Sequence, residues 1–466
     1  MRNRKQPHTD RRWPSAIPWV LLVGVLTFAL AAWIFDLGSV LGVRGARPEA
    51  PQPRLLLTKA GDPTPVAAPA HGPEADPKKV ATALKTILSD KSIGPNIGVA
   101  VIDLSSGKSV LRRGPETLAP ASTMKLLTST AALHVLGPDH RFTTSVLRRD
   151  NEIFLRGGGD PMLTAKRSKG YPARASLADL ADQVAKALAR GQKVRLAYDA
   201  SLFSGPTTSP TWPPGYLGGG VVPRISALWD DEAHIGGGYV ADPPQDAAVD
   251  FARLLRSRGV RVVGQPRAAK TPEQATVLGE VQSPPLSWIV THLLMVSDNN
   301  AAEVVAHQVG LAQAKSGSFD GGAQAMRDAL RELKVPLAGA RIFDGSGLSR
   351  SNRLAPETLA AVLHLAATDP QLRSVITGMP VAGYTGSLAT RFDRGARAGQ
   401  GRVQAKTGTL TGVHALAGVV NDMQGTVFGL VIMADRVPAP QQEVARIHID
   451  QAFAALAACS CGVGTP

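Results

Sequence analysis

Cysteine is scarce: a chain of 466 residues carries two, Cys459 and Cys461, both near its C-terminal end. They stand too far along the chain from any other chemical motif to be read as nucleophiles. Two thiols leave three states open: joined to each other, paired between chains, or free. None of the ten histidines falls in a His-Glu-x-x-His or comparable ligand spacing, so a metalloenzyme is disfavoured and no metal or other cofactor is expected. Aromatic residues make up 5% of the chain, and the basic side chains are scattered rather than clustered with them. No nucleic-acid motif occurs, which discounts nucleic acid as a partner. There is no internal repeat. Acidic residues are the minority charge, 37 against 51 basic, giving a formal net charge of +14. That balance favours anionic surroundings such as phospholipid head groups or an acidic wall polymer.

One long apolar run stands out. Ala16 to Phe35 is nearly unbroken over 20 residues, enough to cross a bilayer of about 30 Å at 1.5 Å per residue. Arg2 to Arg12 precede it, so residues 1–15 are expected in the cytoplasm and the chain beyond the 16–36 span outside. Trp19 and Trp33 lie near its two ends, where interfacial tryptophans belong. Ala29-Leu30-Ala31 fits a small-x-small cleavage site, which keeps secretion after cleavage as the alternative. The apolar Trp33-Ile34-Phe35 continues past that site and favours an uncleaved anchor. Without residues 1–36 the chain still holds 46 basic against 35 acidic residues.

Residues 37–78 read as a tether, with eight prolines among alanine, glycine and charge and no periodic apolar face. From Lys79 to about 458 the pattern is globular: 44% of the whole chain is apolar and 19% charged. Helical spacing at Val80–Leu88 precedes strands at Ile97–Leu104 and Lys108–Arg113, then a helix from about Ser122 to Leu136. Strands follow at Phe142–Arg148 and Ile153–Arg156, then helices at Leu177–Ala189 and Ala247–Ser257. Between those helices, Ser201 to Pro243 is loop-rich and holds Trp212, Tyr216 and Trp229, which either line a cleft or staple a loopy subdomain.

Three short motifs carry chemistry. In Ser122-Thr123-Met124-Lys125 the two polar side chains fall one helical turn apart on one face. That places an amine beside a hydroxyl, and a neutral amine can take the proton of an otherwise weak nucleophile. The same spacing in Ser105-Ser106-Gly107-Lys108 falls in a glycine-bearing turn between strands and is read as a hairpin tip. Ser297-Asp298-Asn299 sits at a corner between two helical runs. There Asp298 fits a cap, and its two neighbours can point into one cleft. Lys406-Thr407-Gly408-Thr409 lies in a strand whose edge offers a cation and hydroxyls, with Gly408 expected to let a peptide approach the backbone.

Taken in this order the three resemble the motif set of penicillin-binding proteins and class A β-lactamases. The chain is most similar to the low-molecular-mass class C penicillin-binding proteins, the D-alanyl-D-alanine carboxypeptidases and endopeptidases. Gly157-Gly158-Gly159-Asp160-Pro161, Asp344-Gly345-Ser346-Gly347-Leu348-Ser349 and Thr385-Gly386-Ser387-Leu388 are further stretches that look like this family. The resemblance implies an α+β fold: a β-lactamase/transpeptidase-like domain, with an antiparallel sheet between helices, at 79–144 and 284–458. The 172 residues from Lys125 to Ser297 then imply a smaller inserted domain at 145–283, and 459–466 form a tail. It also implies the substrate, peptidoglycan peptides ending in D-Ala-D-Ala, and acylation by β-lactams.

The implied roles follow residue by residue. Ser122 is the nucleophile, and Lys125 its base, with a pKa lowered by burial and by the Lys406 charge. Ser297 relays a proton to the leaving amine. Asn299 holds the substrate amide, while Lys406, Thr407 and Thr409 receive the terminal carboxylate beside Gly408. No Glu-x-x-Leu-Asn segment is present, which weakens a β-lactamase reading. Two alternatives stay open: a β-lactamase or related serine esterase, and a non-catalytic wall-binding module of the same fold.

Overall fold

The computed structural model describes residues 72–313 and 316–463. The apolar run at 16–36 and most of the proline-rich tether lie outside the described residues. Among the described residues no helix is long and apolar enough to cross a membrane.

The folded part begins a few residues before Lys79. Ala75 is buried and bridges Gly462, and the Asp76 carboxylate accepts from the Lys78 and Lys79 N–H groups (2.8 and 3.3 Å). Pro77 sits at the first turn, where a missing N–H costs nothing. The helix it starts, α1 (Pro77–Leu88), buries Val80, Leu84 and Leu88, four residues apart. The tail is tied down too. Cys459 and Cys461 form a disulfide with each other, and Cys461 N–H donates to Asp422 (2.9 Å).

Next come β1 (Asn96–Asp103), β2 (Ser109–Arg113), a 3₁₀ turn at Ala121–Thr123, and α2 (Met124–Leu136). Residues Met124 to Leu133 of α2 are all buried, so it is a central helix rather than an amphipathic surface one. The chain continues through β3 (Thr143–Arg149), β4 (Glu152–Arg156), α3 (Leu177–Ala187), β5 (Lys193–Asp199), the two-residue pair β6 (His234–Ile235) and β7 (Gly238–Tyr239), and α4 (Pro243–Ser257). Short strands β8 (Arg261–Val262) and β9 (Arg267–Ala268) lead to β10 (Thr276–Gln282). Then follow α5 (Leu286–Met295), α6 (Asn299–Ala312), α7 (Phe319–Glu332), α8 (Pro356–Thr368), β11 (Val403–Leu410), β12 (Val413–Asn421), β13 (Val427–Asp435) and α9 (Gln442–Ala457).

Two sheets organise these elements. The first has five antiparallel strands in the order β11-β12-β13-β1-β2, uniting the chain's two ends. Alternation along its strands feeds two cores. Ala415, Ala417, Val431 and Met433 face α2, α5, α6, α7 and α8, whereas Leu416, Leu430 and Ile432 face α1 and α9. The second sheet, in the order β10-β3-β4-β5-β8 with β9 also paired to β5, is built wholly from Thr143–Gln282. Its Val146, Ile153, Leu155, Val194 and Leu196 pack under α3 and α4 in a core of their own. Strands β5 and β10 were not marked in the sequence reading. The loop-rich stretch makes a further small cluster in which Trp212 and Trp229 are buried and Trp212 packs edge-on to Phe319 (5.1 Å).

The Ser105-x-x-Lys108 copy is a turn. Asp103, buried at the end of β1, accepts from Ser105 N–H (2.9 Å), Ser105 Oγ–H (2.6 Å), Ser106 N–H (3.0 Å) and Ala75 N–H (2.8 Å), while Lys108 pairs with Glu74. Burial alone would raise the Asp103 pKa, but the bonds from Ser105, Ser106 and Ala75 hold it below the ordinary carboxylate value. Asp103→Ala is expected to cost about 2 kcal/mol, read as a lower urea midpoint at unchanged m, because it strands the buried Ala75 N–H and removes the part-buried bonds of the turn. Since the folded pKa lies below the unfolded one, the Asp103 contribution is full above about pH 4 and fades as pH falls through the folded value. An Asp103→Ala protein with the parental midpoint at pH 7 would show that the turn holds without its carboxylate.

Candidate active site

Ser122 stands on the 3₁₀ turn that enters α2. Ala121 before it is left-handed (φ 47°), and Thr123 bonds back to the Pro120 carbonyl through its hydroxyl (2.7 Å). Thr123 occupies the N-cap position of α2, so Ser122 is not the helix cap and its hydroxyl is left for other work. Lys125, one turn on, is fully buried. Its Nζ donates to Ser122 Oγ (3.0 Å), Asn299 Oδ1 (2.8 Å) and the Ser346 carbonyl (2.7 Å). Three hydrogens meet three acceptors, which is the full complement of an ammonium group.

The Ser297-Asp298-Asn299 corner joins α5 to α6. Asp298 caps α6 by accepting from Ala301 N–H (3.0 Å) and lies 3.5 Å from His292 Nε2. Ser297 adopts φ 62°, a left-handed conformation that an L-residue takes only when its surroundings impose it. With Asp298 occupied by the cap, its two neighbours project to different lysines: Ser297 Oγ accepts from Lys406 Nζ (2.8 Å), and Asn299 from Lys125. The Asn299 amide N–H also donates to the Val221 carbonyl (3.3 Å), tying the loop-rich stretch to the corner.

Strand β11 is the edge of the first sheet, and it passes beside the Ser122 turn. Lys406 is fully buried, and its Nζ bonds to Ser297 and to the Thr407 carbonyl (2.9 Å). Thr407 shares a hydroxyl–hydroxyl bond with Ser387 (2.9 Å), while Thr409 is exposed opposite His414. A Cβ at Gly408 would fall 2.7 Å from the Pro120 carbonyl and 3.2 Å from Thr123 Cγ2. Its missing side chain admits the Ser122 turn against β11.

The charges around the two lysines are unequal. Burial lowers the Lys125 pKa to about 8, with the negative charges of Glu303, Asp298 and Asp344 opposing that shift. Lys406 is held well below its ordinary value by burial and then by the positive charges of Lys125 and Arg391. The expectation that the Lys406 charge depresses Lys125 is therefore reversed. The carboxylates cluster around Lys125, whereas at Lys406 burial and the charges of Lys125 and Arg391 disfavour the protonated form.

Several site residues escaped the sequence reading. Glu303, on α6 and fully buried, accepts from Gly345 N–H (3.0 Å) and Ser346 N–H (2.7 Å). Asp344 accepts from Gly347 N–H (3.0 Å), Ser349 N–H (2.6 Å), Asn352 Nδ2 (2.7 Å) and Trp212 Nε1 (2.8 Å). Glu303 could have been flagged as a lone carboxylate in the apolar run Ala301–Leu311, whereas the Ser346 carbonyl has no sequence signal at all. Among the described residues, Glu232, His292 and Asp298 bring potential ligand atoms within 4.8 Å of one another. Their atoms are already engaged: Asp298 with the cap and His292, Glu232 with the Asn300 amide (3.0 Å).

The family model described as D-Ala-D-Ala carboxypeptidase 3 (S13) matches residues 80–237 and 232–456. The carboxypeptidase DacB of Mycolicibacterium smegmatis is 34% identical over 476 residues, covering 98% of this chain and 100% of that protein. A D-alanyl-D-alanine carboxypeptidase of an Actinomadura species is 30% identical over 448 residues, 77% of this chain and 81% of its own length. The crystal structure of penicillin binding protein 4 from Haemophilus influenzae shares the fold, with a TM-score of 0.66 at 20% identity over 80% of this chain and 97% of that one. The chain belongs to the D-Ala-D-Ala carboxypeptidase 3 (S13) family, serine D-alanyl-D-alanine carboxypeptidases among the low-molecular-mass class C penicillin-binding proteins.

Proposed function

We propose that the chain cleaves the terminal D-Ala-D-Ala bond of peptidoglycan stem peptides through an acyl-enzyme at Ser122, and that β-lactams acylate the same serine. One observation carries this reading. Ser122 Oγ lies 3.0 Å from the buried Lys125 Nζ, and the second motif joins that pair to Lys406 through Asn299 and Ser297. Lys125 as the free amine takes the Ser122 proton while Oγ bonds to the carbonyl carbon. The scissile C–N bond then breaks, and the leaving amine takes a proton by way of Ser297. Water hydrolyses the ester and restores Ser122. Asn299 holds the substrate amide, Lys406, Thr407 and Thr409 receive the terminal carboxylate, and the N–H groups of Ser122 and Thr409 face the developing oxyanion. Endopeptidase action on cross-linked peptides uses the same steps with a longer leaving amine.

The same proposal assigns 79–144 and 284–458 to the catalytic domain and 145–283 to an inserted one, supported by the two sheets with their separate cores. The 16–36 run anchors the protein in the cell membrane as a single pass, with the catalytic part outside. Its length and the positive residues before it support this over release by cleavage.

Two expected outcomes follow. In full-length protein incubated with a labelled penicillin, Ser122→Ala abolishes the covalent mass increment, and Ser105→Ala leaves it intact because Ser105 is bound to Asp103 in a turn. Turnover of nitrocefin in place of slow stoichiometric acylation would favour the β-lactamase alternative. Labelling that survives Ser122→Ala would remove the serine assignment altogether.

The lysines are expected to respond differently to arginine, which keeps its proton at working pH. Lys125→Arg stops acylation with the melting temperature retained, whereas Lys406→Arg retains measurable acylation with weaker substrate binding. In the parent, acylation rises as pH increases through about 8, where Lys125 loses its proton. Stopped-flow acylation rates between pH 6 and 10 check this, and a Lys125→Arg enzyme as fast as the parent would exclude Lys125 as the base.

A further inference from the structure

Behind Lys125, on the side away from Ser122, lies a carboxylate that the reaction scheme does not use. Glu303 is one helical turn beyond Asn299 on α6 and completely buried. Its two oxygens are spent on two consecutive backbone donors, Oε2 on Gly345 N–H (3.0 Å) and Oε1 on Ser346 N–H (2.7 Å). The carbonyl of that same Ser346 receives the Lys125 ammonium at 2.7 Å. The Gly345 carbonyl is fixed by the Thr128 hydroxyl (2.6 Å), which lies on α2 just beyond Lys125. Thus the Gly345–Ser346 segment is gripped from α6 and from α2, and it presents one acceptor to the lysine. A buried acid is costly unless its bonds and charge are used. Here both oxygens are bonded, and the charge bears on Lys125.

We infer that Glu303 is a positioning residue for Lys125: it anchors the N–H groups of Gly345 and Ser346, so that the Ser346 carbonyl that follows them receives the lysine, and it supplies a buried negative charge that bears on how readily Lys125 gives up its proton. The inference rests on the reading of Lys125 as the base that activates Ser122.

Other groups bear on the same lysine. Asp298 and Asn299 face it from the start of α6, Asp344 from the loop that also carries Ser346, Ser122 from its own turn, and Lys406 from β11. Glu303 in turn faces Asp344, while His307, next along α6, donates from Nδ1 to the Glu303 main-chain carbonyl (2.8 Å). The α7 helix turns apolar Met326 and Ala329 to this core. Asp344 also holds this segment, since it accepts from Gly347 N–H on the peptide whose carbonyl Lys125 touches. It divides its oxygens among four donors, however, whereas Glu303 spends both of its oxygens on the two residues that lead up to that carbonyl. Burial and the Asp344 charge push the Glu303 pKa up to about 8, against the pull of the Ser346 and Gly345 N–H bonds. Both carboxyl oxygens accept backbone hydrogens, which favours the ionised form.

The test is the pH profile of acylation of the full-length protein by a fluorescent penicillin, from pH 5 to 10, for the parent, Glu303→Gln and Thr128→Val. Glu303→Gln removes the charge while keeping the shape, and it is expected to move the midpoint of the rising limb down by about one pH unit, as loss of a nearby opposite charge does. Thr128→Val releases the Gly345 carbonyl without altering any charge, and it is expected to slow acylation with the midpoint unmoved. A folded Glu303→Gln protein with the parental midpoint overturns the inference, and so does Thr128→Val moving the midpoint as far as Glu303→Gln. Should Glu303→Gln not fold, Glu303→Asp decides. It keeps the charge but withdraws from the two N–H groups, so acylation at least tenfold slower at the parental midpoint supports the inference, and the parental rate overturns it. Failure of the underlying reading looks different, as parental acylation in Lys125→Arg.

Discussion

Two lysine side chains are buried completely within one cleft, and the local structure is shaped by that constraint. An ammonium group taken from water without compensation is strongly disfavoured, and two such groups near each other repel as well. The site does not treat them alike. Lys125 has three acceptors within 3.0 Å and Glu303, Asp298 and Asp344 about it. Lys406 has Ser297 and the Thr407 carbonyl within 2.9 Å, and the charges that bear most on it are positive. These surroundings favour the proton on Lys125 over Lys406.

The backbone that carries these groups is packed with very little clearance. The Ser122 turn is pressed between β11 and the Asp344–Ser349 loop. Gly408 meets the Pro120 carbonyl from one side, and Gly347 meets the Ala121 carbonyl from the other, where a Cβ would lie 1.9 Å away. Gly347 is also left-handed (φ 87°), so both sterics and conformation require glycine there. Ala121, immediately before Ser122, and Ser297 itself take a left-handed conformation that is strained for such residues. Each serine thus sits at a kink held by close packing, and neither depends on a flexible loop to bring it into line. The long stretch from β3 to β10 folds around its own core yet returns to the site at two places, Val221 against Asn299 and Trp212 against Asp344.

What could be read in the sequence was whatever depends on local spacing. Ser122 and Lys125 meet because i and i+3 share a helical face, and Asp298 caps because aspartate before a helix does so. Elements with strong periodicity fall close to their expected bounds: β1 is shifted by one residue, and α1 ends as expected at Leu88 but starts three residues earlier, at Pro77. What could not be read depends on pieces distant in the chain. The Ser346 carbonyl is a main-chain atom, with no residue type to betray it. Gly408 has two plausible uses, and only the fold shows the Pro120 carbonyl against it. The lysine charges were assigned from their motifs, but burial by whole helices and three acids spread over 298–344 set the actual order. The strand β5, with its alternation of Lys193, Arg195 and apolar partners, was hidden among helices and loops.

The unequal setting of the lysines bears on why the site has lysine at both positions. Arginine would be charged in either place whatever its surroundings, so it could neither accept the serine proton nor give up its charge to ease the repulsion between the two positions. Lysine loses its proton within an accessible pH range once buried, and both positions bury it completely. In the acyl-transfer reading, an incoming terminal carboxylate brings to Lys406 the counter-charge that the protein withholds from it. That raises the proton affinity of Lys406 relative to Lys125, whose own acids are fixed in place. A substrate lacking the carboxylate gives no such bias and meets the cleft with its proton still on Lys125. Selectivity for a free terminal carboxylate and activation of the serine then arise from the same pair of groups. The physical cause is the uneven placement of charge: three carboxylates bear on Lys125, whereas the charges that bear most on Lys406 are those of Lys125 and Arg391.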